Sequence, residues 1–148
     1  MSALLRASDR GSMTVEVAFL LVLLVVPLFY LVGSVGRVQA GAYAVTAAAR
    51  EAGRSYVTAE SVLDAPTRAQ AAAALVAQAH GFAAEDVRLS LGCGGPGCLE
   101  PGSVVVVDAV VEVPLPLVPD MMADRVPASI TLTAQHTESV DAFRERGR

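Results

Sequence analysis

Nineteen consecutive residues from Val17 to Val35, VAFLLVLLVVPLFYLVGSV, carry no charge. As a helix they span about 28 Å, close to the ~30 Å thickness of a bilayer's hydrocarbon core. The run is longer than the roughly 7 to 15 apolar residues of a secretory signal and is followed by Arg37, so it reads as a transmembrane helix. The competing expectation is secretion, with cleavage at the weak small-residue site Val38-Gln39-Ala40. Pro27 lies within the run, where it removes one backbone hydrogen bond, a loss that lipid-embedded helices accommodate by local rearrangement. Gly33 and Ser34 leave the exit thin enough for close helix contact.

A chain of 148 residues with such a segment has room for one modest folded domain beside it. All eleven basic residues are Arg, so chemistry that needs Lys, such as a Schiff base, a P-loop or a Lys general base, is excluded. A net charge of −4, scattered basic residues and the lack of an aromatic stacking platform set nucleic-acid binding aside. Arginine counts do not orient the span, because Arg6 and Arg10 precede it while Arg37, Arg50 and Arg54 follow it.

Ahead of the span stands the leader MSALLRASDRG, and then Ser12-Met13-Thr14-Val15-Glu16. A carboxylate at the mouth of an apolar helix is costly and needs a partner. Cleavage after Gly11 would give Ser12 a new ammonium one helical turn from Glu16, equally available to the Glu16 of a neighbouring subunit, where low dielectric strengthens the attraction. Glu16 also complements the positive end of the helix dipole, and a simple interfacial first-turn Glu is the plainer alternative.

Arg10-Gly11, Ser12 and Glu16 leading into an apolar helix resemble the processing site of type IV prepilins. The segment Ala47-Ala48-Ala49-Arg50-Glu51-Ala52-Gly53-Arg54 is similar to the Ala/Arg-rich stretch that follows the membrane helix in TadE-like proteins, the minor pilins or pseudopilins of the tight-adherence (Tad, Flp-type) pilus. The resemblance covers residues 10 to 54. It implies cleavage between Gly11 and Ser12 by a prepilin peptidase, a register-setting role for Glu16, a cytoplasmic leader 1–11, a membrane helix over 12–36 and an extracytoplasmic domain over 37–140. The partners it implies are membrane lipid, other pilin or pseudopilin subunits, the pilus assembly platform and the peptidase. It implies no cofactor and no enzymatic activity.

Beyond Arg37, apolar Val38, Ala42, Val45, Ala49, Ala52 and Tyr56 recur at helical spacing, with Arg50 and Arg54 on another face. The membrane helix is therefore expected to continue to about Ser55; the alternative is a break near Gly33 to Gly36. Asp64 followed by Pro66 and an Ala-rich stretch to Gly81 predicts a second helix, with Asp64 as N-cap and Gly81 as stop. Alternation predicts three strands, at Val87–Leu91, Ser103–Val113 and Ile130–Gln135. The expected fold class is α+β, a pilin-like pair of helices covering the apolar side of a small three-stranded antiparallel sheet.

Cys93 and Cys98 flank a glycine-rich turn, a spacing that suits a small disulfide closing a hairpin in an oxidising compartment. Zinc would need four ligands, and only the unlinked His80 and His136 remain, so no metal site is expected. Pro114 to Pro127 reads as a stiff extended segment, either a connection folded over the core or a contact surface. The charged tail 141–148 is expected to fray. Neither His is linked by a motif to Ser12, Ser90 or Ser103, and no catalytic constellation emerges. The expected function is a non-enzymatic minor pilin; the alternative is an uncleaved, membrane-anchored binding domain that does not polymerise.

Overall fold

The computed structural model describes residues 9–95, 97–116 and 128–144, with side chains from 13 onward. The fold is α+β: helix α1 (Asp9–Val57), helix α2 (Ala65–Ala79), a short 3₁₀ turn (Ala84–Asp86), and strands β1 (Val87–Cys93), β2 (Val104–Pro114) and β3 (Ser129–Ser139). The chain divides into two compact units, Met1–Gly36 and Arg37–Arg148. Helix α1 is assigned without interruption across Pro27 and across Gly33 to Gly36, so the expected alternative of a break there does not occur. The leader's residues 1–8, the Pro-rich stretch 117–127 and the tail's residues 145–148 lie outside the described residues.

In the second unit the strands form an antiparallel sheet in the order β1-β2-β3. Central β2 carries the core: Val105, Val107, Ala109, Val111 and Val113 are all fully buried on one face. β-Branched valine suits this position because it is stiff and packs well on a pleated surface. The opposite face bears Asp108 and Glu112, which pair across strands with Gln135 and Arg88. The bulk of the core thus comes from the sheet.

The helices supply small residues. Ala44, Ala48 and Ala52 of α1, and Ala65, Ala69, Ala73 and Ala77 of α2, are all fully buried in one cluster with the β2 valines. Rows of alanine at a four-residue step let helices lie close over a valine face. Two glycines extend the α1 row. A Cβ at Gly41 would lie 2.3 Å from Val113 Cγ2 and 3.0 Å from Leu132 Cδ1, and one at Gly53 would lie 3.3 Å from Glu138 Cβ. The buried stripe differs in one place from the expected one: Ala42 is exposed, and Gly41, Ala44 and Ala48 take the inward positions.

Helix α2 starts where expected but not as expected. Asp64 has helical dihedrals and no side-chain cap bond. Its carboxylate instead accepts from Ser61 Oγ at 2.8 Å, and its N–H donates to the same hydroxyl at 3.1 Å. The reason is local: an N-cap residue needs a non-helical backbone to turn its side chain onto the first turn, and Asp64 is already helical, while Pro66 offers no N–H at the second position. The other end follows the sequence. Gly81 has φ +78°; its N–H donates to Gln78 C=O, and that of Phe82 to Ala77 C=O at 3.0 Å, the paired bonds of a Schellman stop. Buried Phe82 then takes the Arg37 guanidinium over its ring at 4.7 Å.

The sequence expectation of fraying from Asp141 meets a specific contact. The Arg144 guanidinium donates to Val57 C=O and Ala59 C=O, carbonyls left open at the end of α1. A cation there also complements the negative end of the helix dipole. Arg144→Ala is expected to cost about 1.5–3 kcal/mol, the usual worth of hydrogen bonds to a charged group. Thermal unfolding of the full chain, with amide exchange at residues 54–59, checks this; unchanged protection there would remove Arg144 from the cap.

Candidate functional site

Helix α1 starts at Asp9, so the backbone of Gly11 and Ser12 is helical and Glu16 follows one turn after Ser12. Positions four apart on a helix share a face, so an amino group at residue 12 and the Glu16 carboxylate stand within reach of each other or of the same neighbour. The Glu16 side chain is exposed and, among the described residues, makes no ion pair or hydrogen bond. No basic side chain between Met13 and Gly36 is available to it, since the first that follows is Arg37.

The helix beyond Glu16 is apolar around its whole circumference. Phe19, Leu24 and Phe29 are 64%, 69% and 74% exposed, and the most hydrophobic 18-residue window has a mean hydropathy of 2.7 with no part of it buried. Among the described residues this is the one helix long and apolar enough to cross a membrane. An apolar surface of this extent on a soluble monomer far exceeds the few hundred Å² that water tolerates, so it requires lipid or other helices. Near its end, Gly33 and Gly36 have nothing within 4 Å of where a Cβ would sit, and the Ser34 hydroxyl is buried without a hydrogen-bond partner.

Cys93 and Cys98 are joined in a disulfide with Cα atoms 5.2 Å apart. The bridge closes the β1–β2 turn, whose Gly94 N–H donates to Val104 C=O at 2.9 Å and whose Gly102 takes φ +80°. The Tyr56 hydroxyl lies 3.9 Å from Cys93 Sγ, so the last turn of α1 abuts the bridge. Replacing both cysteines by serine is expected to cost about 2 kcal/mol, from the loop-closure entropy of so short a loop. Thermal unfolding with and without reductant measures it. The strands should persist, because the ladder from Val87↔Val111 to Cys93↔Val105 does not depend on the bridge; loss of the whole fold would show that it does.

Among the described residues, the remaining polar groups do not converge. His80 closes α2. His136 lies on the helix-facing side of β3, which continues past it to Ser139, and its Nε2 sits 3.1 Å from Glu138 Oε2. A groove of about 820 Å³ between α2 and β1 is lined by Pro66, Thr67, Gln70, Glu85, Leu89 and Leu91, among others. Among the described residues no three His, Cys, Asp or Glu side chains come together to hold a metal ion.

Sequence reasoning passed over Gly41, Gly53 and Arg144. The first two left a signal, because they sit in step with Ala44/Val45, Ala48/Ala49 and Ala52 as one seam of small residues; Arg144 left none, for its acceptors lie 87 and 85 residues earlier. No family model, curated protein or solved structure matches the chain.

Proposed function

We propose that this chain is a single-pass minor pilin or pseudopilin of a Tad/Flp-type pilus, matured by cleavage between Gly11 and Ser12, with the domain from Arg37 onward outside the cytoplasmic membrane. The observation that carries this reading is Glu16. Among the described residues it has no partner, and it stands at the head of a helix whose apolar surface those residues leave uncovered. A new ammonium at Ser12 would neutralise it, within one subunit or across two, and the pairing would fix how far one helix slides along the next. Val17 to Val35 supply the packing surface, first against lipid and then against other subunits. The disulfide suits an oxidising compartment, in keeping with a domain exported across the membrane. Partners in this reading are sister subunits, the assembly platform and the prepilin peptidase.

Intact-mass and N-terminal analysis of the protein extracted from membranes tests the proposal. The expected chain begins at Ser12. A chain that retains Met1 in cells possessing the peptidase, or one cut near Ala40, overturns it.

A further inference from the structure

Arg37 is the first charged residue after Glu16, two positions beyond the apolar run that ends at Val35. At about 1.5 Å per helical residue it stands within one turn of where that run leaves the bilayer. A long basic side chain in such a place reaches toward the headgroup layer, which alone would make Arg37 an ordinary interfacial arginine. What distinguishes it is how it is held.

Its guanidinium lies over the ring of buried Phe82, 4.7 Å from the centroid. Beside the ring is Gly81 at φ +78°, where a Cβ would stand 3.6 Å from Arg37 Nη1, so that nitrogen sits against a residue with no side chain to cover it. Arg37 is half-buried, yet among the described residues it makes no hydrogen bond and no ion pair. Nor does it cap α2. The last turn there is closed by backbone, with the N–H groups of His80, Gly81 and Phe82 donating to the carbonyls of Val76, Ala77 and Gln78. Arg88 and Arg144, by contrast, both donate to oxygen, the one to Glu112 and the other to Val57 and Ala59.

A guanidinium with one face on an aromatic ring has lost water from that face, and its N–H edge still needs acceptors. Water supplies acceptors but no counter-charge. A phospholipid phosphate supplies both, pairs with guanidinium through two parallel hydrogen bonds, and lies at the polar boundary of the apolar run.

We propose that Arg37, seated on Phe82, binds the phosphate of an anionic phospholipid at the surface where the apolar run leaves the bilayer. Stacking on the ring fixes the direction of the fork before the lipid arrives, so less side-chain freedom is lost on binding. Anionic lipid is preferred to zwitterionic lipid because a choline cation beside the phosphate repels the guanidinium. The inference rests on the membrane-anchor part of the proposed function and needs neither cleavage at Gly11 nor polymerisation.

The full chain, reconstituted in vesicles of equal parts phosphatidylcholine and phosphatidylglycerol, is floated on a density gradient, and its retained lipid is counted by native mass spectrometry after release into detergent. The parent is expected to float and to retain one phosphatidylglycerol in preference to phosphatidylcholine by about fivefold, the worth of one basic residue at an anionic surface. Arg37→Gln should float and lose the preference. Arg37→Lys should lose most of it, since an ammonium neither lies flat on the ring nor forks. Arg50→Gln, exposed and thirteen residues further along α1, should leave it unchanged. Failure of the parent to float would remove the anchor and the lipid site with it. The lipid site alone is overturned if the floating parent shows no preference, if Arg37→Gln or Arg37→Lys keeps it in full, or if Arg50→Gln lowers it as far as Arg37→Gln does. Displacement of the retained lipid by excess inorganic phosphate would assign the seat to a free anion and overturn it as well.

Discussion

Gly41→Leu is expected to abolish cooperative unfolding of the Arg37–Arg148 unit, the largest stability effect of any single change outside the valine face. A Cβ alone already overlaps Val113 Cγ2 at 2.3 Å and touches Leu132 Cδ1 at 3.0 Å. Val113 cannot yield: it is fully buried, its χ1 is stiff, and its backbone is paired with Ile130 in the ladder. Alanine at this site would gain about 1 kcal/mol of helix propensity, yet overpacking a tight core costs about 1–3 kcal/mol, so even Gly41→Ala should lower stability on balance. Leucine adds three further carbons with no space to receive them. The loss then passes about 3 kcal/mol, a large part of the 5–15 kcal/mol that holds a domain together. The exposed neighbour gives the contrast, since Ala42→Leu should change stability by no more than about 0.5 kcal/mol. Thermal unfolding of the full chain in detergent, followed by circular dichroism, measures all three. A Gly41→Leu protein as stable as its parent would mean that α1 does not press on β2 as described.

The same residues mark what the sequence made legible. Alternation identified β2 because valine and charge strictly alternate there, and the disulfide followed from two cysteines around a turn that contains little but glycine and proline. Helical periodicity was clear as to the existence of α1 but not as to its inward face. Alanine occurs on every side of residues 40–52, so Ala42 and Ala44 are indistinguishable by apolarity, and only the buried cluster that receives Ala44 decides between them. Asp64 has the right residue type for a cap, and the proline two positions later deprives it of a donor. Arg144 was beyond reach for a different reason, since its contacts depend on which distant segments end up adjacent. For the candidate site the balance is reversed. Glu16 and Ser12 are fully visible in sequence because their relation is one turn of a single helix.

Glu16→Gln carries the largest expected effect on function. The substitution keeps the side chain's size and one acceptor oxygen, and replaces the charge and the other acceptor with a neutral NH2 donor. Insertion should be unharmed and slightly easier, since a charged group costs about 2.5–3.5 kcal/mol at the bilayer centre and less near the interface. Cleavage after Gly11 should also continue, giving a mature chain that begins at Ser12. On the proposed reading the difference arises at assembly. The Ser12 ammonium would then enter a helix bundle without its counter-charge, and breaking one side of a buried pair costs about 3–5 kcal/mol because the other charge is left uncompensated. At about 1.4 kcal/mol per factor of ten, incorporation into filaments should fall by at least about a hundredfold. Glu16→Asp should restore part of the yield, because it keeps the charge on a shorter arm. Measuring the mature chain in sheared filaments against that in membranes separates assembly from expression and processing. An anchored binding domain has no use for the pair and would be indifferent to the change, so equal filament recovery for Glu16→Gln and its parent, both beginning at Ser12, would remove the charge pair from the mechanism.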